Sequence, residues 1–116
     1  MTNNTLEYAD LLKENSKILL RFENEGLDPK KTRILEFGVS VPEKNDAIAV
    51  RQAFRDKFQV PKEGMFIVIN DPKDYQLVLS VEMRPSAAAI TEIENQLLES
   101  AKCIGSAEVF WGFEEK

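Results

Sequence analysis

Histidine is absent from this chain, cysteine occurs once, at Cys103, and the five glycines are scattered rather than gathered into a phosphate-cradling loop. Without an imidazole, the usual activation of a serine or cysteine nucleophile has no base to stand on. Cys103 falls in the last turn of a predicted helix, where the dipole disfavours a thiolate, so it reads as an inert thiol. A lone cysteine closes no internal disulfide, which agrees with a reducing compartment. Zinc sites draw on cysteine and histidine, and the acidic residues show no calcium-loop spacing, so no metal or other cofactor is expected. No stretch approaches the ~20 apolar residues of a membrane span. The first residues, Met1-Thr2-Asn3-Asn4-Thr5, lack the basic-then-apolar order of an export signal, and a cytoplasmic location is the default expectation. Positive charge is also short: 15 basic against 20 acidic residues give a net charge of −5. Direct binding of nucleic acid, which needs clustered lysine and arginine, is disfavoured, whereas a basic protein segment would be attracted. Arg51, Arg55 and Lys57 do not reverse this, because Asp56 lies among them and the group forms a mixed, solvated face.

What is present is periodicity. From Thr5 to Glu25, Tyr8, Leu11, Leu12, Ile18, Leu19 and Phe22 recur at three- and four-residue steps, which predicts an amphipathic helix closed by Gly26 and Asp28-Pro29. Between Thr32 and Val41 the period falls to two, placing Leu35, Phe37, Val39 and Val41 on one side of a strand. Pro42 ends that strand, Asn45 or Asp46 can cap a second helix, and Ala47, Val50, Ala53, Phe54 and Phe58 supply its buried stripe. Met65 to Asn70 and Gln76 to Met83 read as two strands joined at Asp71-Pro72-Lys73-Asp74. Pro85 and Ser86 open a last helix with Ile90, Ile93, Leu97, Ala101 and Ile104 on one face and Gly105 as its cap, and Ala107 to Glu114 alternates as a closing strand. With no repeat or linker to divide the chain, residues 1–116 form one expected domain: a helix and turn over 1–31, then a βαββαβ core over 32–116. That order predicts an α+β, ferredoxin-like sandwich, a four-stranded antiparallel sheet of order 4-1-3-2 with both core helices on one face.

The other face can then be read from the alternation as Ile34, Glu36, Gly38, Ser40, Val78, Ser80, Glu82, Glu108, Phe110, Gly112 and Glu114. It is apolar surface bordered by carboxylates. Either the N-terminal helix, which must bury its own stripe, covers this surface or the sheet edge, or the surface receives a partner. Candidate partner-binding residues are Glu36, Glu82, Glu108, Phe110, Trp111 and Glu114. Trp111 shares the face of Val109, which favours core packing, while its place between Phe110 and Phe113 keeps it a contact candidate. Glu36 with Glu82 or Glu108 could do acid–base work if desolvated together, but sheet-surface glutamates are usually solvated, and no catalytic residue is assigned.

Several strings occur together in order: Gly26-Leu27-Asp28-Pro29, Ile34-Leu35-Glu36-Phe37, Ala53-Phe54 followed by Phe58-Gln59-Val60, and Ala101-Lys102 ahead of Trp111-Gly112. Taken together they resemble the ribonuclease E inhibitor B family, also called regulator of ribonuclease activity B, from about Leu11 to Glu114. The family's terminal Asp-Gly-Trp-Gly is replaced here by Val109-Phe110-Trp111-Gly112. The resemblance implies a small bacterial cytoplasmic protein with a ferredoxin-like fold that binds an endoribonuclease and modulates RNA turnover without a reaction of its own. Its partner would be a ribonuclease or related RNA-processing protein with a basic segment, docked on the acidic and partly apolar sheet face. The competing reading is a ferredoxin-like module of unrelated function that pairs with its twin or binds a small molecule.

Overall fold

Seven elements follow one another: α1 (Tyr8–Asn24), β1 (Arg33–Val41), α2 (Lys44–Lys57), β2 (Met65–Asp71), β3 (Asp74–Met83), α3 (Ala87–Ser100) and β4 (Glu108–Phe113). The computed structural model describes residues 8–102, 104 and 107–113. The expectations for Cys103, Gly105 and Glu114 lie outside the described residues. The strands form a four-stranded sheet of order β2-β3-β1-β4, every neighbouring pair antiparallel. This is the 4-1-3-2 ferredoxin-like arrangement read in the opposite direction.

Local chemistry accounts for where the elements start and stop. Helix α1 closes in a Schellman motif: the Leu27 N–H donates to the Phe22 carbonyl at 2.9 Å and the Gly26 N–H to that of Glu23 at 3.1 Å. Gly26 sits there at φ +111°, a conformation that glycine adopts without a Cβ penalty. The Asp28 carboxylate then accepts the Lys30 N–H at 2.9 Å and turns the chain toward β1. The start of α2 departs from expectation. Neither Asn45 nor Asp46 caps it; the helix begins at Lys44 behind Glu43, whose extended backbone fills the N-cap position without a side-chain hydrogen bond. Helix α3 is capped as predicted, the Ser86 hydroxyl accepting the Ala89 N–H at 3.1 Å. The β2–β3 hairpin turns through Pro72-Lys73, with Asp71 opposite Asp74.

Alternation decides which side of the sheet is dry. Leu35, Phe37, Val39 and Val41 of β1 and Leu77 and Leu79 of β3 are buried together with Ala47, Val50 and Phe54 of α2 and Ile90 and Leu97 of α3. Because these strand residues share one face, α2 and α3 lie on that same face. Each large side chain buried there contributes roughly 1.5–3 kcal/mol.

The sequence left the place of α1 open, and the structure resolves it. The helix does not cross the other face of the sheet. It packs alongside α3 and reaches the inward side of β4, where the Phe22 ring meets Trp111 at 6.3 Å and Phe113 edge-on at 5.0 Å between centroids. The helical layer is thereby extended to three helices, and among the described residues no element covers the opposite face of the sheet.

Candidate functional site

The bare face is built from rows that cross the strands. Register places Phe66 opposite Val78, Val78 opposite Gly38, and Gly38 opposite Phe110, so a single apolar row spans all four strands. A Cβ at Gly38 would overlap the Phe110 ring, and one at Gly64 would overlap the Phe66 ring. Each aromatic ring thus lies over a glycine and is spread across the sheet. Phe66 remains 51% and Phe110 38% exposed, whereas Val78 between them is buried. Val68, at 42% exposure, adds to the same face on β2.

Carboxylates border this row. Half-buried Glu36 is flanked by Ser80 and Gly112, exposed Glu82 lies opposite Ile34, and exposed Glu108 opposite Ser40. The Glu82 backbone N–H donates to Glu63 Oε1 at 2.9 Å, which brings a further acidic residue to the border. At the hairpin corner the Ser40 hydroxyl and the Asn70 amide both donate to the Asp74 carboxylate. Those hydrogen bonds, Ser40 first and Asn70 second, hold the Asp74 carboxyl below its ordinary pKa. Of the residues predicted from sequence, Glu36, Glu82, Glu108 and Phe110 share this face. Trp111 does not: it is half-buried on the inward side, and Glu114 lies outside the described residues.

Trp111 instead belongs to a polar seam that sequence reasoning missed. Asn15 of α1 is 2% exposed, and Thr91 and Glu94 of α3 are 0% and 6% exposed. The Asn15 amide nitrogen donates to Thr91 Oγ1 at 2.9 Å and to Glu94 Oε1 at 2.6 Å, while the Trp111 indole N–H donates to Asn15 Oδ1 at 2.9 Å. Because an indole N–H can only donate, it fixes which way the Asn15 amide points. Burial raises the Glu94 carboxyl above its ordinary pKa; the Asn15 hydrogen bond opposes that shift, and the negative charge of Glu14 adds to it. A signal for the seam existed. Asn15 interrupts the apolar stripe of α1 between Leu11 and Leu19, and Thr91 and Glu94 sit three apart on α3 beside the stripe of Ile90 and Leu97.

The seam opens into a cleft of about 560 Å³ between α1, α3 and β4, whose walls include Leu11, Glu14, Ile18, Glu94, Glu108 and Trp111. Among the described residues no group of three or more acidic or cysteine side chains could hold a metal ion. None of the described helices is long and apolar enough to cross a membrane.

These elements make an α+β sandwich with an added helix beside α3, an aromatic-and-acidic outer face and an adjoining cleft. The profile of the regulator of ribonuclease activity B family matches residues 12–110, most of this chain. The chain belongs to that family, as the motifs from Gly26-Leu27-Asp28-Pro29 to Trp111-Gly112 predict. The matched span takes in most of α1, strands β1 to β3 with α2 and α3, and the first half of β4. No curated protein matches the chain.

Proposed function

We propose that this protein binds an endoribonuclease of the ribonuclease E type, or a related RNA-processing protein, and restrains it by contact, with no reaction of its own. The family supports a regulator of ribonuclease activity. The observation that favours the bare face as the docking surface is its row of Phe66, Val78, Gly38 and Phe110, spread across four strands and bordered by Glu36, Glu82 and Glu108. Such a patch has the composition of an interface, aromatic at its centre and polar at its border. With a net charge of −5, the border attracts a basic segment and repels RNA.

The test is direct association with purified ribonuclease by calorimetry across a salt series. Wild-type protein binds, more weakly as salt rises. Phe66→Asp and Phe110→Asp each abolish binding, and Gln at Glu36, Glu82 and Glu108 together flattens the salt dependence. Absence of association at low ionic strength overturns the proposal. The exposure of Phe66 and Phe110 also suits a second copy of the chain, a reading that a monomer in sedimentation at low micromolar concentration removes.

A further inference from the structure

The cleft between α1, α3 and β4 poses a charge problem that the chain does not solve. Glu94 is 6% exposed, and its Oε1 is held by Asn15. No donor among the described residues reaches its other oxygen. Yet no buried side-chain oxygen or nitrogen among them lacks a partner, so that second oxygen is not sealed in protein. Glu94 lines the cleft, which is the open space beside it. Glu14 also lines the cleft, and its negative charge acts on Glu94. The ion pair seen among the described residues, Lys57 with Glu99, is elsewhere, so among them neither Glu94 nor Glu14 has a cationic side chain within bonding reach. A carboxylate this deeply buried ordinarily has a paired charge.

The remaining walls say which cation would fit. The carboxylates are too dispersed to chelate a metal ion. Leu11, Ile18 and Trp111 make the rest of the cleft apolar and aromatic. A planar, weakly hydrated cation tolerates such walls, lies against an indole and donates to a carboxylate in its own plane, whereas a compact ammonium keeps its water. We propose that this cleft is a binding site for a guanidinium group, seated between the Glu94 carboxylate and Trp111. The group arrives either as the arginine side chain of a protein or as a free guanidino compound. The site stands on its own geometry, whether or not the ribonuclease reading holds.

Trp111 is the chain's one tryptophan, so its emission reports on this cleft alone. Ethylguanidinium is titrated into wild-type protein, with ethylurea as the uncharged isostere and acetyl-Gly-Arg-Gly-amide as the peptide source. The expected result is a saturable emission change in the millimolar range or tighter with a guanidinium probe and none with ethylurea. Tenfold tighter binding of the peptide than of ethylguanidinium identifies a protein arginine as the source, and the reverse order a free compound. Glu94→Gln, which keeps an acceptor for Asn15, weakens binding by at least about tenfold, while Glu92→Gln on the exposed side of α3 leaves it unchanged. Equal responses to ethylguanidinium and ethylurea, or no saturable response to either guanidinium probe, overturn the assignment. Both outcomes are read on the unaltered protein and do not depend on whether a variant folds.

Discussion

The two faces of the sheet carry aromatic residues in adjacent rows and use them in opposite ways. On the inner face Phe37 is fully buried beneath α2 and α3, one residue along from Gly38, whose row carries Phe110. On the outer face Phe110 and Phe66 lie over glycines and stay more than a third exposed. The inner row is completed by elements of the chain itself. The outer row resembles it in composition, but no described element of the chain covers it. Apolar content alone therefore does not distinguish core from contact surface here; the position of the helices does.

Truncation at the two faces breaks or upholds that comparison. Phe37→Ala is expected to cost about 3–5 kcal/mol in chemical denaturation, because it opens a cavity in a closed core. Phe110→Ala should cost under about 1 kcal/mol, since its ring is already partly hydrated. Equal losses would mean that the outer row is structural. Asn15→Ala falls between these two, at about 1–3 kcal/mol, because it strands the Trp111 indole N–H and removes the donor to Glu94. A shift in tryptophan emission would accompany it. Gly38→Ala is smaller in stability, under about 1 kcal/mol, because the obstructing atoms are the far end of the Phe110 ring, which can swing away. Its signature is local: the Phe110 ring resonances should shift while those of Phe37 on the inner face stay in place.

Glu94→Gln is the smallest and works through pH. The folded-state pKa of Glu94 is raised, mainly by burial, above the ordinary 4.5, with Asn15 and Glu14 of α1 and Glu108 and Trp111 of β4 around it. Between the ordinary and the raised value the folded chain holds a proton that the unfolded chain has released, so stability falls as pH rises through that window. Above the window the charged form carries its full cost. Glu94→Gln should therefore melt a few degrees higher than wild type near neutral pH, with the gap closing as pH falls toward the ordinary value. A gap that widens on acidification would show that the Glu94 carboxylate is stabilising.

Much of this architecture is legible in the chain. The step from a three-to-four residue period to a period of two marks α1 and β1, Gly26 and Ser86 place a helix end and a helix start, and the alternation of β1 and β3 separates Phe37 and Leu79 from Glu36 and Ser80. These are local signals, set by backbone geometry over a few residues. The face that carries Glu36, Glu82, Glu108 and Phe110 followed from the same alternation. The uncapped start of α2 at Lys44 did not, because Asn45 and Asp46 satisfy the composition of a cap while the chain leaving Pro42 puts the N-cap at Glu43, two or three residues earlier.

Composition and periodicity by themselves determined that this chain is an acidic, ferredoxin-like α+β protein without histidine. Where α1 would lie, and hence which face stays bare, only the tertiary structure decided. So too with the seam of Asn15, Thr91, Glu94 and Trp111, whose members are up to 96 residues apart. Periodicity reports which side of an element is apolar, whereas the pairing of such sides across long separations depends on how layers of fixed thickness pack, and no local pattern encodes that.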